Sequence, residues 1–75
     1  MMLVPLGKIF LDEIERAERL IKESPATWPI LEGNLRRYLL RRFPFGIIYF
    51  QETKEIVVVA VAHLHRNPDY WKERI

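Results

Sequence analysis

Apolar residues recur at spacings of three and four along residues 6–24, the pattern of an amphipathic helix. The stripe is formed by Leu6, Phe10, Ile14, Ala17 and Ile21. Pro5 suits the first turn of this helix, because its missing N–H would have no helical partner there. Ser24-Pro25 predicts the end of the helix, since a residue before proline avoids the α region.

Three apolar segments in the second half of the chain predict strands over residues 35–43, 45–52 and 55–65. Pro44 and Thr53-Lys54 separate them, and such tight connections favour antiparallel neighbours. The third segment is the most apolar, which predicts that it is the central strand.

The segments between and after these elements contain turn residues. Residues 24–34 are predicted to be a loop, because they contain two prolines and a Gly-Asn pair. Asn67-Pro68-Asp69 predicts a turn that leads into a short C-terminal helical segment.

Strict alternation along the third segment divides its residues between two faces of the sheet. One face would carry Val57, Val59, Val61, His63 and His65. The other would carry Ile56, Val58, Ala60, Ala62 and Leu64. Small alanines allow a helix to approach closely, so we expect the helix on the alanine face and the histidines on the open face. A single bulge would invert part of this assignment.

The length of 75 residues limits the chain to one small domain. The absence of cysteine excludes disulfides and thiolate metal sites, and two histidines make a poor metal site, so we expect neither metal nor cofactor. No apolar run approaches the ~20 residues that span a bilayer. The charged residues soon after the start make a poor signal peptide. We therefore expect a cytoplasmic protein without membrane contact.

Charge is distributed unevenly along the chain, although the net charge is only +2. Residues 1–32 carry four basic and six acidic side chains, whereas residues 33–75 carry eight basic and four acidic ones. The strand half is therefore cationic, which suits nucleic acid or an acidic protein segment as a partner. Ordinary solvated charge is the alternative explanation.

Several short motifs occur together in a fixed order. They are Leu-Arg-Arg-Tyr, Arg-Phe-Pro-Phe, Ile-Ile-Tyr, Val-Ala-Val-Ala-His and Arg-Asn-Pro-Asp-Tyr-Trp. They follow the segment GKIFLDEIERAERLIKESPATWP, which comprises the predicted helix and the loop after it. In this order and spacing the chain resembles the RelE/ParE family of bacterial type II (plasmid stabilisation) toxins, over about residues 6–74. Members of that family cut messenger RNA on the ribosome or poison DNA gyrase, and each is held by an antitoxin.

The resemblance implies an α+β fold. We expect one amphipathic helix on a three-stranded antiparallel sheet, followed by the short C-terminal helical segment, in a single domain over residues 1–75. Family members usually begin with an edge strand and a first helix, and this chain resembles a member shortened at that end. An uncovered helix side and an unpaired sheet edge favour an antitoxin or self-association into a homo-oligomer.

The sequence also departs from the basic residues that the nuclease branch carries. Arg37 stands where such a nuclease has a lysine, and Leu39 replaces a second lysine. Gly46 and Leu64 replace arginines, and Gly46 also departs from the gyrase-poison branch. Tyr70 matches the C-terminal tyrosine of the nucleases.

Four residues near the end of the third strand are candidate catalytic residues: His63, His65, Arg66 and Tyr70. An imidazole can take the ribose 2′-OH proton or protonate the leaving oxygen, and RNA cleavage without metal also needs a cation. Tyr70 could stack on a base. The structural alternatives are a hydrogen bond from His63 at the sheet end, an Arg66–Asp69 pair and an aromatic anchor at Tyr70.

Four arginines frame the first predicted strand: Arg36, Arg37, Arg41 and Arg42. Arginine binds phosphates and carboxylates through paired hydrogen bonds, so these residues are candidates for partner or nucleic-acid binding. The alternative is a solvated edge strand whose charges prevent sheet-to-sheet aggregation. Of the two kinds of partner, an antitoxin is favoured over RNA.

Three functions are therefore open. The first is a toxin or toxin-like component that acts mainly by protein binding. The second is a ribosome-dependent mRNA endonuclease, and the third is an inactive self-associating remnant. The missing basic positions favour the first and third, and whether the chain is an enzyme is left open.

Overall fold

Residues 6–64 are the part of the chain that the computed structural model describes. They form α1 (Leu6–Glu23), β1 (Ile30–Glu32), β2 (Leu35–Leu39), β3 (Phe45–Glu52) and β4 (Glu55–His63). The predicted α+β class is confirmed, but the sheet has four strands where three were expected. The predicted C-terminal helical segment lies outside the described residues.

The helix α1 matches its predicted span to within one residue. Within the apolar stripe, Ala17 and Ile21 face the sheet and are fully buried, and Phe10 and Ile14 pack there partly buried. Lys22 lies in the last turn, where a cation complements the negative end of the helix dipole. Within residues 6–64 no helix is long and apolar enough to cross a membrane.

The short strand β1 occupies part of the segment predicted to be a loop. Gly33 and Asn34 form the two-residue turn between β1 and β2, and Gly33 has a φ of 57°. Glycine takes a positive φ without strain, as hairpin turns of this length require. The Gly-Asn pair was thus a hairpin signal, but all three residues of β1 are exposed and show no buried alternation.

The four strands are antiparallel and follow one another in the order β1-β2-β3-β4. The prediction that residues 55–65 form the central strand is wrong, because β4 lies at the edge of the described sheet. Both β2 and β3 are inner strands. We call β3 the central strand, because Gly46, Ile47, Ile48 and Tyr49 are all buried in it. Apolar content misled the prediction, since Val58 and Val61 of β4 each remain 40% exposed.

A bulge in β4 changes which residues face the helix. Ile48 pairs with Ala60 and Tyr49 pairs with Val58, so Val59 is an extra residue without its own partner on β3. Val59 and Ala60 both pack in the cluster around Ile48. They therefore lie on the same face of the sheet, and the alternation of β4 is offset by one residue beyond this point.

The predicted faces are correct before the bulge and wrong after it. Cross-strand partners share a face. Phe45 packs on Phe10 of the helix with ring centroids 5.4 Å apart, and Phe45 pairs with His63. His63 therefore lies on the helix face together with Val61, whereas Ala60 and Ala62 lie on the opposite face.

The main core fills the helix face of the sheet. Its largest fully buried side chains are Tyr49, Ile21 and Ile47. Phe10 makes edge-to-face contacts with Phe43 and with Phe45, which close the core at the N-terminal end of α1. Burying each large apolar side chain stabilises such a fold by about 1.5–3 kcal/mol.

Candidate functional site

The four candidate arginines lie in β2 and in the bend that follows it. Arg36 and Arg37 are consecutive residues of a strand, so their side chains point to opposite faces of the sheet. Arg41 and Arg42 lie in the bend between β2 and β3. The structure therefore does not bring the four guanidinium groups together on one surface.

Arg36 lies on the helix face and is half-buried. Its Nη1 donates a 2.6 Å hydrogen bond to the backbone carbonyl of Trp28, which fixes the segment before β1. Arg36 is also the cross-strand partner of Tyr49. Burial raises the pKa of Tyr49, and the nearby positive charge of Arg36 partly opposes that rise. These contacts give Arg36 a structural role.

Arg37 lies on the opposite face and is exposed. A Cβ added to Gly46 would lie only 3.1 Å from Cγ and from Cδ of Arg37, so the stem of this arginine covers the glycine. Leu39 also contacts this position and is 50% exposed. We call Arg37, Leu39 and Gly46 the Arg37 surface. On this surface the guanidinium of Arg37 lies beside the exposed apolar side chain of Leu39.

Arg41 and Arg42 bind Glu13 of the helix through their backbone, not through their side chains. Their amide N–H groups donate to the same Oε1 atom at 2.8 and 3.1 Å. Successive N–H groups of this kind form a concave site that suits an anion. The side chains of both arginines are exposed and free to point toward a partner.

His63 is the one candidate catalytic residue within the described part of the chain. Its ring packs edge-on against Phe45 with centroids 4.9 Å apart and an interplanar angle of 79°. It lies on the helix face, and Arg37 lies on the opposite face. His65, Arg66 and Tyr70 lie outside the described residues.

No group of three or more histidine or acidic side chains within residues 6–64 could hold a metal ion. An exposed guanidinium beside an exposed leucine can contact a segment that carries both carboxylates and apolar side chains.

The sequence did not predict the contact of Glu13 with the bend at residues 41–42, because nothing in the spacing of Glu13 pointed to that bend. It also did not predict the exposure of Val58, which was expected under the helix. Val61 was expected on the open face and lies on the helix face. No protein-family model matches this sequence, and comparisons with curated proteins and with solved structures found no match.

Proposed function

We propose that this chain is a toxin or toxin-like component of a type II toxin–antitoxin system of the RelE/ParE kind, acting mainly by protein binding in the cytoplasm. The ordered motifs over about residues 6–74 support this proposal. The packing of one amphipathic helix on an antiparallel sheet agrees with the layout that the resemblance implies.

The separation of Arg37 from His63 is the observation that carries the choice of binding over RNA cleavage. Metal-free cleavage needs a proton-transfer group and a cation at the same phosphate. Arg37 and His63 lie on opposite faces of the sheet, and the His63 ring packs against Phe45. Within the described residues these two groups cannot act on one phosphate.

The Arg37 surface is the part of the molecule that we assign to the antitoxin. Its guanidinium suits a carboxylate of the antitoxin, and the exposed area of Leu39 suits an apolar side chain beside that carboxylate. The stem of Arg37 on the neighbouring strand covers Gly46, the position at which the family that the chain resembles has an arginine.

Induction of the chain in growing bacteria tests the proposal, with growth, protein synthesis and DNA synthesis followed by pulse labelling. We expect growth arrest. We also expect the growth rate after induction of His63→Gln to agree within about twofold with the growth rate after induction of the unchanged chain. Arg19→Gln, on the exposed side of the helix, is the control for a substitution at the surface.

The same experiment separates the alternatives. Rapid loss of protein synthesis that His63→Gln abolishes, with the fold intact by circular dichroism, would establish the endonuclease. Failure of DNA synthesis first would indicate gyrase as the target. Unchanged growth at good yield of folded protein would overturn the proposal in favour of an inactive remnant.

A further inference from the structure

The outer edge of β4 is the longer of the two edges of the described sheet. This strand is nine residues long and forms the last position of the sheet, so its outward N–H and C=O groups have no neighbouring strand within residues 6–64. Val58 and Val61 on its helix face are each 40% exposed. Such an edge is a template for another strand.

The devices that usually block edge pairing are nearly absent from β4. Between Glu55 and His63 the strand has no charged residue and no proline. Its one irregularity is the bulge at Val59. A bulge restricts the registers that an incoming strand can adopt, because side chains must match in face on both sides of it.

A second copy of β4 satisfies this restriction in one antiparallel register. The helix face of β4 carries Ile56, Val58, Val61 and His63. The opposite face carries Val57, Val59, Ala60 and Ala62. When Val58 of one copy lies opposite Val61 of the other, every pair from residue 56 to residue 63 matches in face. A shift by one residue in either direction places Val58 opposite a residue of the wrong face.

We propose that two copies of this chain associate through β4, with Val58 of each copy opposite Val61 of the other. Ile56 then lies opposite His63, and Val57 lies opposite Ala62. The two-fold axis passes between Val59 and Ala60. The pairing joins the two sheets into one continuous sheet and covers the exposed valines of both copies.

Charge does not oppose this pairing. Glu55 is the only acidic residue in β4, and in this register it lies opposite Leu64 at the two far ends of the interface. No like charges therefore face each other across the axis. Glu18 and Lys22 of the helix line the hollow beside Ile56 and Val58, and they supply the polar rim that such interfaces have.

Cysteine cross-linking of the full chain tests the register directly, because the natural chain has no cysteine. Directly opposed residues of antiparallel strands have Cα atoms about 4.5–5.5 Å apart, within the range of a disulfide. A mixture of Val58→Cys and Val61→Cys chains should form a covalent heterodimer on mild oxidation. Each variant alone should form none, since its two cysteines would lie about three residues apart along the strand.

Light scattering of the purified, unmodified chain gives the second readout. We expect a dimer at micromolar concentration. Val58→Lys should raise the dimer dissociation constant at least tenfold, because it places a charge in the centre of the apolar strip. Ile30→Lys, which changes an exposed apolar residue on the far edge of the sheet, should leave the dissociation constant unchanged.

A monomer at these concentrations would overturn the proposal. That outcome would mean that another segment of this chain covers β4 or that the edge has no partner strand. A dimer whose mixed cysteine variants fail to cross-link would also overturn it, since the interface would then lie elsewhere. These measurements need no growth assay, so the proposal succeeds or fails independently of the proposed toxin function.

Discussion

At the scale of single residues, Tyr49 links the strand core to the segment after the helix. Its side chain is fully buried, and its hydroxyl donates a 2.6 Å hydrogen bond to the carbonyl oxygen of Pro25. Tyr49 thereby holds the segment that follows α1 against the central strand. A hydroxyl in such a place stabilises the fold only while it keeps its proton.

Tyr49→Phe should lower the free energy of unfolding by about 1–2 kcal/mol at neutral pH, because the carbonyl of Pro25 loses its donor. Urea denaturation measures the change. Tyr38→Phe is the matched control, since Tyr38 is also buried but donates no side-chain hydrogen bond found within residues 6–64. An equal loss in both variants would mean that the hydrogen bond contributes nothing of its own.

The same tyrosine gives the stability a defined dependence on alkaline pH. Burial raises the pKa of Tyr49 above the usual value of 10.0, against the opposing charge of Arg36. The folded state therefore holds the proton more tightly than the unfolded state. Its contribution is complete below about pH 10 and falls as the pH rises toward the folded pKa. In Tyr49→Phe this part of the alkaline loss should be absent.

At the scale of secondary-structure elements, Glu13 joins the middle of α1 to the bend between β2 and β3. One carboxylate oxygen accepts both the Arg41 and the Arg42 N–H groups. This contact fixes where β2 ends, because residues 41–44 turn away from the strand. The predicted strand over 35–43 is correspondingly too long by four residues.

Glu13→Ala should destabilise the fold by about 1 kcal/mol, since two amides lose a charged acceptor that is partly exposed to water. Thermal unfolding followed by circular dichroism measures the change. Glu15→Ala removes a glutamate from the exposed side of the same helix and should have little effect. If the two variants unfold at the same temperature, the contact has no energetic weight.

The sequence was sufficient to predict α1 and the spans of β3 and β4, because their apolar periodicity is long. It was not sufficient for β1, whose three exposed residues bury nothing. The order of the strands in the sheet was also not predicted correctly. Burial depends on which neighbours a strand finds, and the apolar content of β4 indicated a central strand although Val58 and Val61 remain partly exposed.

The arrangement of the candidate residues was not predictable from the sequence. Arg36 and Arg37 are neighbours in sequence, yet alternation in β2 places their side chains on opposite faces of the sheet. The face of His63 could not be predicted, because one unpaired residue at Val59 changes it. Such a bulge leaves no signature in a run of valines and alanines.

At the scale of the whole molecule, stability is distributed unevenly across the sheet. The central strand β3 has a neighbour on each side and contains Ile47, Ile48 and Tyr49, which are almost completely buried. The edge strand β1 has three exposed residues and an irregular register with β2. Local opening should therefore begin at β1.

Native-state hydrogen exchange should show this gradient. We expect the amides of β1 that pair with β2 to exchange at least roughly 100-fold faster than those of β3, because opening β1 exposes little apolar area. Two-dimensional NMR in deuterated buffer resolves the two strands. Equal protection of β1 and β3 would indicate that the whole sheet opens as one unit.

The bulge at Val59 has a consequence for how this strand tolerates changes of length. Removing Val59 would restore plain alternation in β4 while leaving every remaining residue on its present face and opposite its present partner on β3. Removing the adjacent Ala60 would have a similar result. Removing any other single residue between Val57 and Ala62 would move some of the remaining residues to the other face of the sheet. The bulge is thus the one place in this strand where a single codon can be deleted while the core residues keep their faces and partners.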